Sequence, residues 1–272
     1  MNLTETNVTT IINNLSVSYS DEGPVEAPVV IFIHGFPLNK SMWDSQLEAL
    51  KEEYRVIAYD VRGHGDSDAG YEDFSIDLFA NDLISFMDNL KIRKATLCGL
   101  SMGGYIALNA IGNYQERFNA LILSDTQCIA DTPEVRENRL LAIENIRKNG
   151  LDDFAHESIK NLFAPVSLLS KETEIDSVRE MIVNTSKKSI YNSLHALATR
   201  KETFSKLSDI KIPVLILVGS EDKITPPEMA ELMHKKINGS QLNIIEHAGH
   251  LSNMENPFEF NYQIRKFIST VY

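Results

Sequence analysis

The sequence predicts an α/β protein with a mostly parallel, eight-stranded sheet flanked by helices, and with a helical insertion in its second half. Three observations carry that prediction. Short, nearly continuous apolar runs recur at Val29–Ile33, Arg55–Tyr59, Ala95–Cys98, Ala120–Leu123, Val214–Val218 and Leu242–Ile245. Such runs suit parallel strands buried on both faces. Helical patterns separate most of them, and this alternation implies helices on both sides of the sheet. One interval, Thr126 to Ser208, breaks the alternation with helical patterns alone.

In chain order, Val8–Ile12 and Leu15–Tyr19 read as antiparallel strands joined by the turn-prone pair Asn13-Asn14. Asp21-Glu22-Gly23-Pro24 breaks the pattern before the first buried run. Ser75 is placed to cap a helix in which Ile76, Phe79, Leu83, Phe86, Met87 and Leu90 share one face. Ala95–Cys98 runs into Gly99-Leu100-Ser101-Met102-Gly103-Gly104 and then a helix. Within the insertion, helices are expected over Pro133–Lys148, Leu151–Phe163, Glu174–Thr185 and Ser189–Thr199. A last helix starts near Pro257 and carries Phe260, Ile264, Phe267 and Ile268. The expected division is therefore a core of residues 1–125 and 209–272 with a cap of residues 126–208. Insertions of this length in compact domains are usually functional, often lids.

Bulk properties exclude several roles. The chain has 272 residues, 43% of them hydrophobic, so it can bury a sizeable core in one domain. Its net charge is -12, from 26 basic and 38 acidic residues. Nucleic acid and anionic membrane surfaces both call for the opposite sign. No apolar run approaches the ~20 residues of a membrane span. The N-terminus is polar, without the basic-then-apolar order of a signal peptide. Cys98 and Cys128 lack metal-like spacing and read as small core residues. A cytoplasmic protein without metal or cofactor is expected, and the oligomeric state is unreadable.

Four clusters carry chemistry. Gly99 to Gly104 has the strand–turn–helix setting of a G-x-S-x-G nucleophile elbow, in which a tight turn lifts a serine hydroxyl clear of the backbone. Glycines are needed because helix and strand approach closely there. Alone, the match is weak, since small-residue turns are common. His34-Gly35-Phe36-Pro37 follows a buried strand and can offer a backbone N–H to an oxyanion. Gly219 to Pro227 puts Asp222 at the end of another strand, and Glu246 to Leu251 does the same for His247 and His250. Asp60 to Ser67 reads as a rigid turn beside the site. Glu221 and Asp125 compete with Asp222, and His247 competes with His250. Ser101, Asp222 and His250 lie in that order, each just past a strand, at the sheet edge where open α/β sheets bind ligands.

On His34-Gly35-Phe36, Arg62-Gly63-His64-Gly65, Gly99 to Gly104, Glu221-Asp222 and Gly249-His250, the chain resembles the α/β-hydrolase superfamily over nearly its full length. Within it, the pattern is similar to small esterases, 3-oxoadipate enol-lactonase-type lactonases and non-haem haloperoxidases. The resemblance implies the α/β-hydrolase fold. It implies Ser101 as nucleophile, His250 as general base and then acid, and Asp222 as the orienting carboxylate. It also implies an oxyanion hole from the backbone N–H groups of Phe36 and Met102, where losing one donor typically costs ~3–4 kcal/mol of barrier. The expected activity is cofactor-free cleavage of small-molecule carboxylic esters or lactones through an acyl-serine. Enol-lactonase-type, carbon–carbon bond or perhydrolase chemistry are the alternatives. A small-molecule receptor on the same fold is the second class. Haloalkane and epoxide hydrolases of this fold need an aspartate where Ser101 stands. For the substrate pocket, Trp43, Leu140, Phe163, Leu168, Leu194 and His195 are the candidates. The helix bearing Arg136, Arg139 and Arg147 could aim a cation at it, in a direction the sequence does not give.

Overall fold

The computed structural model describes residues 2–272. Eight strands form one sheet: β1 (Asn2–Ile12), β2 (Leu15–Pro24), β3 (Val29–Ile33), β4 (Arg55–Tyr59), β5 (Ala95–Leu100), β6 (Phe118–Ser124), β7 (Val214–Gly219) and β8 (Gln241–Ile245). Their spatial order is β1-β2-β4-β3-β5-β6-β7-β8. β1 pairs antiparallel with β2, and β2 with β4, whereas every pair from β4 to β8 is parallel. The chain leaves β3 toward β4 on one side and later returns to β5 on the other. The order therefore reverses between β3 and β5, and a crevice opens beyond their carboxyl ends.

Alternation along the strands builds two cores. Ile31, Ile33, Ile57, Leu97, Leu121 and Ile216 face one side. Val30, Phe32, Val56, Cys98, Ile122 and Leu215 face the other. The first face is covered by α2 (Ile76–Asn89), α3 (Met102–Tyr114) and α9 (Pro227–Lys236), and the second by α1 (Asp44–Leu50) and α11 (Pro257–Ile268). Ser75 caps α2 by accepting from the Leu78 N–H at 3.0 Å. A one-turn helix, α10 (Ser252–Glu255), precedes α11.

Between β6 and β7 lie α4 (Pro133–Asn149), α5 (Leu151–Leu162), α6 (Ser167–Ser170), α7 (Glu172–Asn184) and α8 (Lys187–Thr199). α4 and α8 share a small core of Ile143, Ile146, Ile190 and Leu194. α5 and α7 instead join the α11-side core through Ala155, Ile159, Val178 and Ile182. At the base of α4, Asp131 bonds both Arg139 and Arg200. Burial alone would raise the Asp131 carboxyl, but the two guanidinium groups outweigh it and hold it below its ordinary value.

The structure corrects the sequence reading at Asp21-Glu22-Gly23-Pro24. These residues extend β2, with Asp21 opposite Ile57 and Glu22 opposite Val56. The charges are tolerated because Arg55 pairs with Asp21 at 2.5 Å and Lys51 with Glu22 at 3.3 Å. No helix among the described residues is long and apolar enough to cross a membrane.

Candidate active site

Ser101 directly follows β5 and caps α3 with φ 55° and ψ −113°, in a region that side chains avoid. Backbone contacts fix this geometry. The Ser101 N–H donates to Ser124 O at 3.0 Å, and Thr126 Oγ1 donates to Ser101 O at 2.8 Å. The turn closes only because two positions lack side chains. A Cβ on Gly103 would lie 2.1 Å from Ile33 O, and one on Gly104 2.4 Å from Thr126 Oγ1. The first obstruction is backbone and cannot swing away. Gly103→Ala is therefore expected to cost about 3 kcal/mol, read as a Tm lower by roughly 6–12 °C in thermal melts. An unchanged Tm would refute the close-approach argument.

Asp222 follows β7, and its carboxylate is fully engaged. Oδ1 accepts from the N–H groups of Ile224 (2.8 Å) and Thr225 (3.0 Å). Oδ2 accepts from Thr225 Oγ1 at 2.8 Å and faces His250 Nδ1 at 2.8 Å. Burial would raise Asp222, but His250 and these donors outweigh it and hold the carboxyl below its ordinary value. His250 follows β8 and is itself buried. Burial would lower its pKa, yet the Asp222 carboxylate, aided by Asp125 and Glu255, carries it above the ordinary 6.5. With Nδ1 on Asp222, Nε2 is the nitrogen left for the cavity that His250 shares with Ser101.

The rival residues are placed apart. His247 is exposed, at φ 58°, and its N–H donates to Ser220 Oγ. The Glu221 backbone N–H donates to Ala248 O. Asp125 is nearer the centre, fully buried at the end of β6. It accepts from the Gly219 N–H at 2.8 Å and from the hydroxyls of Ser124 and Ser252. Burial first, and the charge of Asp222 second, push its carboxyl up to about 7.

The His34–Pro37 loop crosses in front of Ser101. A Cβ on Gly35 would stand 3.3 Å from Ser101 Cβ, so no side chain separates loop and serine. Within this turn the Leu38 N–H donates to Gly35 O, while the N–H groups of Phe36 and Met102 have no partner among the described residues. Behind the loop, His34 Nε2 accepts from the Val61 N–H and Nδ1 faces Gly35 O, both at 2.9 Å. Burial lowers His34 to about 4 and the neighbouring His64 to about 3, so both rings are neutral. The Asp60–Ser67 turn is structural, as expected. Asp60 accepts from the Lys40 backbone N–H and from Lys40 Nζ, each at 2.8 Å, and Arg62 grips Asp82 with two nitrogens.

Ser101 and His250 open on a cavity of about 450 Å³ between the sheet edge and the α4–α8 insertion. A larger groove of about 870 Å³, near Ile92 and Asn119, lies away from them. Of the six pocket candidates only Leu194 lines the cavity, where Phe36 joins it. Trp43 is fully buried on the far face, with ring centroids 5.0 Å from Phe32 and 6.1 Å from Phe260. Phe163 and Leu168 pack into the α11-side core. Leu140 and His195 point to solvent, because each is a fraction of a helical turn from the inward residue beside it, Arg139 and Leu194 respectively. The sequence reading missed that Val135, Asn138, Arg139 and Ala142 form the inward face of α4, and that Lys223 joins them across the opening. Spacing of 3 and 4 residues marks such a face but not what it confronts.

The alpha/beta hydrolase fold family matches residues 28–257. This chain belongs to the α/β hydrolase family. The α/β hydrolase is 32% identical over 257 residues to 3-oxoadipate enol-lactonase 1 of Acinetobacter baylyi, covering 94% of each chain. It is 34% identical to the solved structure of a thermophilic esterase from Thermogutta terrifontis, described as malate bound, with a TM-score of 0.91 and coverage of 100% and 99%. The enol-lactonase from Burkholderia xenovorans LB400 superposes with a TM-score of 0.90 at 26% identity, over 96% of this chain and 100% of that one.

Proposed function

We propose that this α/β hydrolase cleaves small carboxylic esters or lactones through an acyl-serine formed on Ser101. The reading rests on one observation: Ser101 and an Asp222-bonded His250 open on the same cavity. His250 Nε2 takes the Ser101 proton as Oγ attacks the carbonyl carbon. Asp222 holds the ring tautomer and stabilises the imidazolium without taking the proton. The unpartnered N–H groups of Phe36 and Met102 suit the oxyanion that forms, each such donor contributing ~3–4 kcal/mol. His250 then protonates the leaving alkoxide, and water, activated by the same base, releases the acid. The α4–α8 insertion acts as a cap that shapes the substrate cavity. A reducing, cytoplasmic workplace belongs to this reading and suits the two free, buried cysteines. Treatment with a fluorophosphonate, followed by mass spectrometry, is expected to give one adduct on Ser101. Hydrolysis that survives without such an adduct would exclude the mechanism.

The cavity lining favours substrates that carry a carboxylate beyond the scissile group. The chain is acidic, at -12. Yet the residues lining the cavity include Lys223, an Arg139 whose guanidinium is already paired with Asp131, and no aspartate or glutamate. The enol-lactonase relatives fit this sign, since ring closure of a dicarboxylic acid leaves one carboxylate free. Lys223 is exposed at the opening, so screening limits its share. Lys223→Glu is expected to raise KM about 3–10-fold for an anionic half-ester and to leave the KM of a neutral ester within twofold. Equal effects on both substrates would remove the charge argument.

A further inference from the structure

We infer that Glu255 is a positioning residue for the catalytic base: its carboxylate ties the Gly249–His250 backbone to the Leu162–Ser167 segment of the insertion. The two oxygens serve two different segments. Oε1 accepts from the Gly249 N–H at 2.8 Å, and Oε2 accepts from the Ala164 N–H at 2.8 Å. A third tie runs beside it, where the His250 N–H donates to Leu162 O at 2.9 Å. The segments are pressed together at Gly249, whose Cβ would lie 2.6 Å from Ala164 N.

Glu255 is 6% exposed, and its carboxylate meets backbone N–H donors, with no cation paired to it among the described residues. Burying such a group is costly, and burial raises its pKa. What a carboxylate offers here is two acceptors on one rigid group. A glutamine has one, and would turn an amide N–H toward a backbone N–H. The histidine backbone is therefore held by the insertion as well as by β8. Small displacements of a catalytic group are expensive in rate, about 100-fold for 1 Å. Glu255 also acts on the ring at longer range, adding its charge to those of Asp222 and Asp125 in raising the His250 pKa.

This inference rests on His250 being the base, so its test includes a readout that needs no turnover. In Glu255→Gln, backbone amide exchange at Ala164, Gly249 and His250 is expected to quicken together by at least tenfold. On p-nitrophenyl butyrate, kcat is expected to fall about 10–100-fold with KM within twofold. The acid limb of the kcat/KM profile should also move to lower pH, because one raising charge is gone. A purely structural role would lower Tm without that shift. Unchanged exchange at Gly249 and His250, or kcat within twofold in the folded variant, overturns the inference. Should Glu255→Gln not fold, Glu255→Asp decides: the shorter carboxylate cannot span both N–H groups, so a kcat fall of about tenfold at constant KM supports the tie, and unaltered kcat refutes it. Equal turnover by wild type and Ser101→Ala would strike the hydrolase reading instead, and leave the exchange result to judge the tie.

Discussion

Ser101→Ala is expected to lower kcat/KM on p-nitrophenyl butyrate by about 10⁵–10⁶-fold, because nucleophile and base act as one unit and neither works alone. The fold should be untouched. Alanine keeps the Cβ that the strained φ of 55° already accommodates, and the N–H bond to Ser124 O and the bond from Thr126 to Ser101 O are backbone contacts on the serine's side. Melting within about 2 °C of wild type and loss of fluorophosphonate labelling complete the expectation, since Ser101 borders the cavity and the deletion leaves the packed core intact. Full turnover in the variant would show that another group carries the reaction. Clean loss with binding retained separates an enzyme from a receptor on the same fold.

Asp222→Asn is expected to cost about 10⁴-fold in kcat, the order known when an orienting carboxylate becomes an amide and the histidine tautomer is wrong. Asp125→Asn should stay within about tenfold, because its partners are the Gly219 N–H and two serine hydroxyls that can reverse direction. The pair of variants decides which carboxylate serves the base. The pH profile gives a second reading with a definite sign. His250 must be neutral to accept the Ser101 proton, and its pKa stands above 6.5, so wild-type kcat/KM should rise with pH through a midpoint above 6.5. Removing Asp222 takes away the largest raising influence, and the residual activity should have its midpoint at lower pH. A larger loss in Asp125→Asn than in Asp222→Asn would reverse the assignment.

The sheet and the grouping of the candidate site were legible because each depends on local chemistry. Buried parallel strands declare themselves as apolar runs, and Gly103 and Gly104 are required by contacts closer than any side chain allows. The order Ser101, Asp222, His250 then added long-range information that no single motif held. What stayed hidden depends on tertiary partners. The end of β2 looked too charged for a strand until Arg55 and Lys51 met Asp21 and Glu22. The inward face of α4 could not be told from its outward one, since Leu140 and Leu141 are apolar yet 48% and 58% exposed while Arg139 lines the cavity. Trp43 sits close to the His34–Pro37 loop in sequence but passes to the other side of the sheet at the turn into α1. Composition gave no sign of Glu255, whose role exists only because the insertion returns to touch the histidine loop.

The neutral histidines His34 and His64, behind the Gly35–Pro37 turn, set a working limit on the molecule. Their folded-state pKa values are depressed from 6.5, to about 4 for His34 and about 3 for His64. The unfolded chain takes up those protons first. Their contribution to stability is complete above pH 6.5 and drains away as the pH falls through 6.5 toward 4 and 3. Under the proposed activity, each ester bond hydrolysed near neutrality would liberate a carboxylic acid, which gives its proton to the medium. A concentrated, weakly buffered reaction would therefore erode the scaffold of its own catalyst, starting at the loop that faces the nascent product. Under that activity, batch reactions call for base addition matched to turnover, and an unbuffered vessel would show a premature plateau.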